Sequence, residues 1–269
     1  MKISNNILMT AAIFFFSSML NFAQTPLFNT TAKFVKSEAA ADSFYILVSV
    51  PDGYYSSEKN YPVLYVLDGD IAFGMAASIA RYLRIGDNIP ELIVVGIGYG
   101  AIDKSAGEKR RRDYRPGKSG GAEKFLMFIK DELIPYIDSN FRTIPDNRTI
   151  TGYSIGGLFA LYALFTQPDI FKGYIVGSPS LSWDNYSIFD YEESSVDKLK
   201  EKSLNVFISV GSEESEEKFF EPVDQLVIQL QERNYSGLTL STKVFQGSTH
   251  LMGPPESLTH GLLSVFAKD

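Results

Sequence analysis

Cysteine is absent from this chain of 269 residues, and histidine occurs only twice, as His250 and His260. Without cysteine the protein cannot have a disulfide framework, a catalytic thiolate or a cysteine-ligated zinc site. Histidine is the side chain whose ordinary pKa lies closest to neutral pH, so it is the usual proton shuttle of an enzyme. Any imidazole base in this protein must therefore be one of two residues.

Basic residues are also in the minority, with 25 Lys and Arg against 32 Asp and Glu and a formal net charge of −7. An acidic protein gains nothing from releasing the counterions of a phosphate backbone, so we expect no nucleic-acid partner. Hydrophobic residues make up 45% of the chain and charged residues 21%, which is enough apolar material for one sizeable core.

The N-terminus predicts an export signal. Lys2 lies in a short polar start, and residues 7–20 form a mostly apolar run rich in phenylalanine. This run is short for a membrane span of about 20 residues but suits the apolar region of a signal peptide. We expect a signal peptide at residues 1–23, a periplasmic or secreted mature chain at residues 24–269, and no further membrane segment. An uncleaved membrane anchor is the alternative.

Short apolar runs alternate with helical stretches along the rest of the chain. Strands are expected at residues 44–50, 62–67, 92–97, 148–153, 171–176, 204–210 and 238–245. The runs at 62–67 and 92–97 are almost entirely apolar, which is typical of strands that are covered on both faces. Strand–helix alternation of this kind predicts an α/β fold, with a central, mostly parallel sheet flanked by helices in one domain.

Two intervening segments carry specific expectations. Residues 99–121 are polar, rich in glycine and basic side chains, and without periodicity, which predicts a long loop. Residues 122–141 have apolar side chains at helical spacing, so we expect an amphipathic helix that Pro135 kinks.

The strongest motif is Gly152-Tyr153-Ser154-Ile155-Gly156, which has the form G-x-S-x-G. A predicted strand precedes it and a predicted helix follows it, as a nucleophile elbow requires. The turn holds the serine in strained backbone geometry, and we expect glycine to be required on both sides because a Cβ atom would clash with the neighbouring backbone. The alternative is a chance match. We predict that Ser154 is a nucleophile.

A serine hydroxyl needs a base that accepts its proton during attack. His250 follows the last predicted strand, at the sheet edge where active-site residues of open α/β sheets collect, whereas His260 lies within the terminal helix. His250 is therefore the predicted base. The acid that orients it should lie between Ser154 and His250 in the chain. We expect Glu214 in this role, with Glu213 and Asp184 as alternatives; the acidic run around Glu214 could also be a solvated helix start.

An oxyanion hole needs two backbone N–H donors. Ile155 follows the nucleophile and should supply one of them. The second is expected from Gly69 or Asp70, in the Asp68-Gly69-Asp70 loop that follows an early strand, although an Asp-Gly pair can also be a plain turn.

The residues quoted above make the chain resemble the "Putative esterase" family of α/β hydrolases, which includes siderophore (enterochelin) esterases, feruloyl and acetyl-xylan esterases and the esterase D group. The resemblance extends from about Phe44 to the C-terminus. It includes residues 61–69, the Arg-Asp-Tyr-Arg-Pro loop at 112–116, the serine elbow and the stretch at 177–183. It implies an α/β-hydrolase fold and hydrolysis of a small-molecule carboxylic ester without a metal or cofactor.

The resemblance is weaker for the substrate. The family usually has Thr where this chain has Arg115, and a bulkier aromatic pair where it has Ser182 and Trp183. We expect Arg112 to position an anionic or polyphenolic substrate, with Trp183 as an aromatic wall. Alternatively, Arg112 is paired internally with Asp113 or another carboxylate.

The function expected from these residues is a serine esterase that works through an acyl-enzyme, with siderophore-type esters first and feruloyl or acetyl esters of plant polysaccharide second. An acyltransferase similar to the mycolyltransferases is a second possibility, and a binding module that has lost catalysis is a third. The sequence leaves the oligomeric state open.

Overall fold

The computed structural model of the chain describes residues 29–266. Its eight strands are β1 (Thr30–Ser37), β2 (Asp42–Ser49), β3 (Tyr61–Val66), β4 (Ile93–Gly98), β5 (Thr143–Tyr153), β6 (Gly173–Gly177), β7 (Leu204–Gly211) and β8 (Leu238–Phe245). They form one sheet in the spatial order β1-β2-β4-β3-β5-β6-β7-β8. The strands from β4 to β8 in this order are parallel, and β2 is antiparallel to both β1 and β4.

Helices cover both faces of this sheet. They are α1 (Gly69–Ile85), α2 (Lys104–Asp113), α3 (Ala122–Met127), α4 (Ile134–Asn140), α5 (Ile155–Thr166), α6 (Ile188–Glu193), α7 (Val196–Leu199), α8 (Glu221–Arg233) and α9 (Gly253–Val265). A 3₁₀ turn spans Tyr54–Ser56, and π-helical segments span Phe128–Leu133 and Glu216–Phe220. No helix within residues 29–266 combines the length and the hydropathy of a membrane span.

Strands β3 and β4 are buried at every position, which explains their apolar sequences. Val63 and Tyr65 of β3 belong to one buried cluster, and Leu64 and Val66 belong to the cluster on the opposite face. Side chains alternate between the faces of a strand, so a strand covered on both sides has no polar position. The expected α/β-hydrolase fold, with a mostly parallel sheet and helices on both sides, is confirmed.

The expectation of a loop at residues 99–121 is wrong, because α2 occupies Lys104–Asp113. Its side chains lack an apolar stripe, and only Ala106 and Asp113 are buried. The helix begins at a side-chain cap, in which Asp103 accepts a hydrogen bond from the backbone N–H of Ala106 at 2.9 Å. The remainder of α2 is held by ion pairs rather than by hydrophobic packing. The sequence therefore has no hydrophobic periodicity from which the helix could be predicted.

The helix expected at residues 122–141 is present, but it changes character before Pro135. The π-helical segment lies between α3 and α4, and the N–H of Ile134 bonds to the carbonyl of Ile129, five residues back. Proline has no N–H and its ring crowds the preceding turn, so the wider π turn accommodates it at the start of α4.

Candidate active site

The candidate residues lie where the parallel strands end at one edge of the sheet. β3 is followed by the Asp68–Asp70 loop, β5 by Ser154 and β6 by Ser178 and Ser180. The same edge receives Glu214 after β7 and His250 after β8. Parallel strands share a direction, so their carboxyl ends bring residues distant in sequence to one edge. The candidate residues that follow these five strands therefore lie at one edge of the sheet.

Ser154 has the backbone geometry of a nucleophile elbow. It lies between β5 and α5 with φ 59° and ψ −119°, a region that non-glycine residues rarely adopt. Its N–H donates to the carbonyl of Gly177 at 2.9 Å, and its carbonyl accepts from the N–H groups of Leu158 and Ser180, both at 3.1 Å. These bonds to β6 and α5 hold the strained residue in place.

Glycine is required on one side of the elbow and not on the other. A Cβ atom on Gly152 would lie 2.2 Å from the carbonyl oxygen of Gly156, so a side chain there would clash with backbone. A Cβ on Gly156 would have its nearest neighbour at 3.4 Å, which is ordinary contact, whereas one on Gly157 would approach the Gly177 carbonyl at 2.9 Å. The expected requirement for glycine at 156 is wrong, and the close approach occurs one residue later.

His250 and Glu214 are in direct contact. Nδ1 of the imidazole lies 2.5 Å from Oε2 of the carboxylate. The other carboxylate oxygen, Oε1, accepts from the Ser178 hydroxyl at 2.5 Å and from the Gly211 N–H at 2.9 Å. Burial alone would raise the pKa of Glu214, but the hydrogen bonds from His250, Ser178 and Gly211 outweigh it and lower the pKa below its usual value. Glu214 is therefore held as a carboxylate.

The alternative acids lie elsewhere. Glu213 is exposed, and its carboxylate contacts the Ser212 hydroxyl at 3.4 Å. Asp184 is exposed with a φ of 49°, and its carboxylate lies against Gly117. His260, the second histidine, is exposed on α9, with its ring 5.3 Å from that of Phe245. Of the candidates, Glu214 and His250 are the two that the structure brings together.

Aromatic rings fix the plane of the His250 imidazole. The Tyr153 ring centroid lies 5.1 Å from it and the Phe219 centroid 4.4 Å from it. The hydroxyl of Tyr153 also lies 2.9 Å from that of Ser178, which links the elbow to the Glu214 site. A Cβ on Gly253 would lie 2.2 Å from the Tyr153 hydroxyl, so the loop after His250 packs closely on the elbow. Nothing in the sequence pattern marked Tyr153 or Phe219 as contacts of His250.

The Ser154 hydroxyl has a partner that was not predicted from the sequence. The hydroxyl groups of Ser154 and Ser180 lie 3.2 Å apart, and within residues 29–266 this contact, rather than one to His250, is the hydrogen bond of the Ser154 hydroxyl. Ser180 follows β6, which is the neighbour of β5 in the sheet. Because residues after neighbouring parallel strands lie close together, this position could have indicated the contact from the sequence.

The proposed oxyanion donors all lie in first turns of helices. Gly69 and Asp70 are the first residues of α1, and Ile155 is the first residue of α5. The first N–H groups of a helix have no partner within the helix. Asp68 is excluded as a donor because its N–H is bonded to the Tyr114 hydroxyl at 2.9 Å. The carboxylate of Asp70 accepts from the N–H groups of Tyr99 and Gly100, which fixes the start of α1.

Arg110, which sequence reasoning did not single out, joins the β3 loop to the elbow. Its Nε lies 2.5 Å and its Nη2 2.8 Å from the two carboxylate oxygens of Asp68, and Nη2 also donates to the Tyr153 carbonyl at 3.3 Å. Burial alone would lower the pKa of Arg110, but the bidentate pairing with Asp68 has a larger effect, and the pKa is raised. Asp68 itself has a φ of 56°, so this ion pair holds a strained residue.

Arg112 and Trp183 have different partners from those expected. Arg112 donates through Nε to Asp113 at 2.7 Å and through Nη2 to Asp42 at 2.8 Å, so the internal pairing holds in the structure. Trp183 donates through its ring nitrogen to the Pro116 carbonyl at 3.1 Å, and the guanidinium of Arg115 lies 3.8 Å above its ring. Within the described part of the chain, no group of three or more His, Asp or Glu side chains could hold a metal ion.

Comparisons with known proteins identify the family. Residues 37–251 match the model of the family described as "Putative esterase". The chain belongs to this esterase family. Ferri-bacillibactin esterase BesA of Bacillus subtilis (strain 168) is 28% identical over 266 residues, which cover 89% of this chain and 90% of that protein. The siderophore triacetylfusarinine C esterase of Aspergillus fumigatus is 33% identical over 56% of each chain.

A solved structure, that of the BES protein from Bacillus cereus, superposes with a TM-score of 0.83 at 31% identity, covering 89% of this chain and 95% of that one. This esterase is accordingly a carboxylic ester hydrolase of the serine type, with the α/β-hydrolase fold.

Proposed function

We propose that this esterase cleaves siderophore-type or aromatic esters through an acyl-enzyme formed on Ser154. The observation that carries the proposal is the Glu214–His250 contact at 2.5 Å, on the strand ends beside the strained elbow. A carboxylate on Nδ1 fixes the tautomer that leaves Nε2 unprotonated, which is the form that accepts a proton from a serine hydroxyl. The proposed catalytic residues are Ser154, His250 and Glu214.

In the proposed acylation step, the Ser154 hydroxyl turns from Ser180 towards His250. Its oxygen attacks the ester carbonyl carbon while Nε2 of the imidazole takes the proton, and a tetrahedral oxyanion forms. The intermediate collapses when the alcohol oxygen leaves with the proton from the imidazolium. Glu214 stabilises the imidazolium while it carries the charge.

In the proposed deacylation step, His250 removes a proton from a water molecule, which attacks the acyl-serine carbonyl. Collapse of the second intermediate releases the carboxylic acid and returns the proton to the Ser154 oxygen. The N–H of Ile155, together with that of Gly69 or Asp70, stabilises the oxyanion of both steps. Pre-aligned donors of this kind are each worth about 3–4 kcal/mol of transition-state stabilisation.

The substrate class rests on the relatives and on charge. One relative is named a ferri-bacillibactin esterase and another a siderophore triacetylfusarinine C esterase. In this chain, the cationic segment around Arg110 and Arg115 lies next to the elbow and next to Trp183. Arg110 is neutralised by Asp68, whereas Arg115 has no carboxylate partner among residues 29–266, so the support for an anionic ester comes from Arg115.

We also propose that the protein is exported. The apolar run at residues 7–20 and the small residue Ala23 support a signal peptide at residues 1–23; both lie outside the described residues. Mass spectrometry of the mature chain tests this: a mature N-terminus at Gln24 is expected, and an intact chain that stays with the membrane would contradict it.

A hydrolysis panel tests the reaction. The native protein and Ser154→Ala are compared on trilactone siderophores, feruloyl esters and short 4-nitrophenyl esters, and Ser154 is labelled with a fluorophosphonate. Cleavage of the trilactone that is lost in Ser154→Ala, with labelling of the native protein, is the expected result. Preferential release of ferulate would assign plant-wall esters instead. Acyl transfer to an added sugar, rather than to water, would indicate an acyltransferase, and absence of labelling would indicate a binding module.

A further inference from the structure

Arg115 and Trp183 form a rigid pair beside the candidate active site. The guanidinium carbon lies 3.8 Å above the centroid of the indole ring, and the ring nitrogen is bound to the Pro116 carbonyl at 3.1 Å. The Arg115 carbonyl accepts from the N–H of Ala122 at 3.2 Å, and a Cβ on Gly120 would lie 1.7 Å from that carbonyl oxygen. Such close backbone packing fixes the loop, so the pair is held in position before any ligand binds.

Arg115 is partly buried but, unlike Lys109, Arg110 and Arg112, has no anionic partner in the described part of the chain; Arg111, which also has none there, is exposed to solvent. Lys109 and Arg112 pair with Asp42, and Arg110 pairs with Asp68. For Arg115, no carboxylate among residues 29–266 lies within ion-pair distance; the nearby carboxylate of Asp184 is exposed and lies against Gly117. Partial burial, with the charges of Arg111 and Arg110, lowers the pKa of Arg115. A partly buried cation without a counter-ion has lost hydration that no other charge replaces, and a bound anion would compensate for this loss.

The pair lies within reach of a substrate attached to the nucleophile. Trp183 is three residues after Ser180, whose hydroxyl lies 3.2 Å from that of Ser154. Three residues of chain span at most about 11 Å, even fully extended. An ester with an aromatic group on its acyl or alcohol side is long enough to occupy both positions at once.

We propose that Arg115 and Trp183 form a subsite that binds an anionic aromatic group of the substrate. The guanidinium supplies charge-assisted hydrogen bonds to a carboxylate or catecholate, and the indole supplies apolar contact with the ring of the same group. This assignment rests on the proposed function, because it concerns the ester bound at Ser154. It differs from the expectation from sequence, in which Arg112 held the anion.

Trp183 itself reports on the subsite, because it is the one tryptophan in the 269-residue sequence. Benzoate and its uncharged amide, benzamide, are titrated into the Ser154→Ala variant while tryptophan fluorescence is followed. We expect benzoate to change the emission and benzamide to bind more weakly. Adding Arg115→Gln should weaken benzoate binding about tenfold, the usual effect of losing one charge-assisted hydrogen bond. Benzamide binding should change much less.

Arg111→Gln is the matched control. Arg111 is exposed and lies in the last turn of α2, four residues before Arg115, so its substitution removes the same charge from the neighbourhood of Arg115. An unchanged benzoate affinity in this variant assigns the effect to a local contact of Arg115. Equal weakening in Arg111→Gln and Arg115→Gln would overturn the proposal in favour of a long-range charge effect, and so would an emission that neither ligand changes.

A kinetic measurement separates failure of the subsite from failure of the proposed function. The native protein and Arg115→Gln are compared on 4-nitrophenyl hydrogen terephthalate and on its neutral methyl ester. We expect the ratio of kcat/KM values, anionic over neutral, to fall about tenfold in Arg115→Gln, mainly through KM. If the native protein cleaves both esters and the ratio does not change, the subsite is wrong and the esterase assignment stands. If the native protein cleaves neither ester, the assignment of Ser154 fails. The fluorescence titration still tests the subsite in that case, because it measures binding and does not depend on hydrolysis.

Discussion

Nδ1 of His250 lies 2.5 Å from Oε2 of Glu214, although 36 residues separate the two in the chain. The contact exists because β7 and β8 are parallel neighbours whose carboxyl ends meet. The Glu214 side chain is 0% exposed, and its carboxylate is held from the other side by Ser178 and Gly211. These contacts hold Glu214 ionised and in a fixed position, which supports its proposed role as the acid that orients His250.

The first prediction concerns this carboxylate. Glu214→Gln keeps the size of the side chain but removes the charge that stabilises the imidazolium, so kcat should fall about 10³-fold or more with a small change in KM. Steady-state hydrolysis of a 4-nitrophenyl ester, with circular dichroism to confirm folding, measures the effect.

Glu213→Gln and Asp184→Asn are the controls, because both remove a carboxylate from an exposed position away from the imidazole. Each variant should retain kcat within about twofold, because solvent and salt screen the effect of an exposed carboxylate on the imidazole of His250. A loss in Glu213→Gln as large as that in Glu214→Gln would contradict the assignment of the acid.

The second prediction concerns the ion pair between Arg110 and Asp68. The pair holds Asp68 at a positive φ directly before the proposed oxyanion donors, and it also binds the elbow carbonyl of Tyr153. Asp68→Asn tolerates the same backbone geometry but weakens the pair, so the donors should lose alignment. We expect kcat to fall roughly 10- to 100-fold with little change in KM, because the oxyanion develops only in the transition state.

Arg112→Gln is the comparison on the same helix. Its guanidinium pairs with Asp42 and Asp113 and contacts no residue of the elbow. The substitution should lower the free energy of unfolding, measured in urea, and leave kcat within about twofold. A lower kcat in Arg112→Gln than in Asp68→Asn would show that the wrong arginine has been assigned to the site.

Much of the fold was predictable because burial and pattern agree in the central strands. β3 and β4 are buried at every position, so their sequences are apolar without interruption. The elbow was predictable because a G-x-S-x-G motif between a strand and a helix has a local structural cause. The pairing of His250 with Glu214 needed only the strand order, since both residues follow parallel strands.

The remaining features depend on contacts between distant segments. α2 has no apolar stripe, and its position depends on ion pairs such as Arg112 with Asp42, 70 residues earlier in the chain. No local pattern encodes such a pair. The role of Arg110 could not be predicted for the same reason. It lies in the basic run of residues 109–112, whose members cannot be distinguished until their partners are known. β1 lies at the sheet edge and is largely exposed, so it lacks the apolar run that marks the central strands.

The third prediction compares the glycines of the elbow. Gly152→Ala would place a Cβ 2.2 Å from the Gly156 carbonyl oxygen, so the turn must open, and we expect a loss of about 2–4 kcal/mol in the free energy of unfolding. Gly156→Ala meets only ordinary contacts and lies in α5, where alanine is the better helix former, so its stability should fall by less than about 1 kcal/mol. Urea denaturation of both variants checks this; equal losses would show that the elbow tolerates side chains alike on both sides.

The fourth prediction concerns Asp42, which ties β2 to α2. Burial alone would raise the pKa of its carboxyl, but hydrogen bonds from Lys109, Arg112 and the Ser43 N–H outweigh it and lower the pKa from 3.8 to about 2. The folded pKa lies below the unfolded one, so the stabilisation is fully present above pH 3.8 and is lost as the pH falls through about 2. The shift corresponds to about 2 kcal/mol, which screening reduces to about 1 kcal/mol because both cationic side chains are more than a third exposed.

Asp42→Asn should therefore lower the free energy of unfolding by about 1 kcal/mol at neutral pH, and the difference from the native protein should disappear as the pH falls through about 2. Asp146→Asn, which changes an exposed carboxylate, is the control and should alter stability much less. Urea titrations across this pH range measure both variants. Added salt should reduce the Asp42 effect at neutral pH, because the ion pairs are partly solvated. A difference between Asp42→Asn and the native protein that stays constant across the acid range would mean that the carboxylate contributes through its shape and hydrogen bonds rather than through its charge.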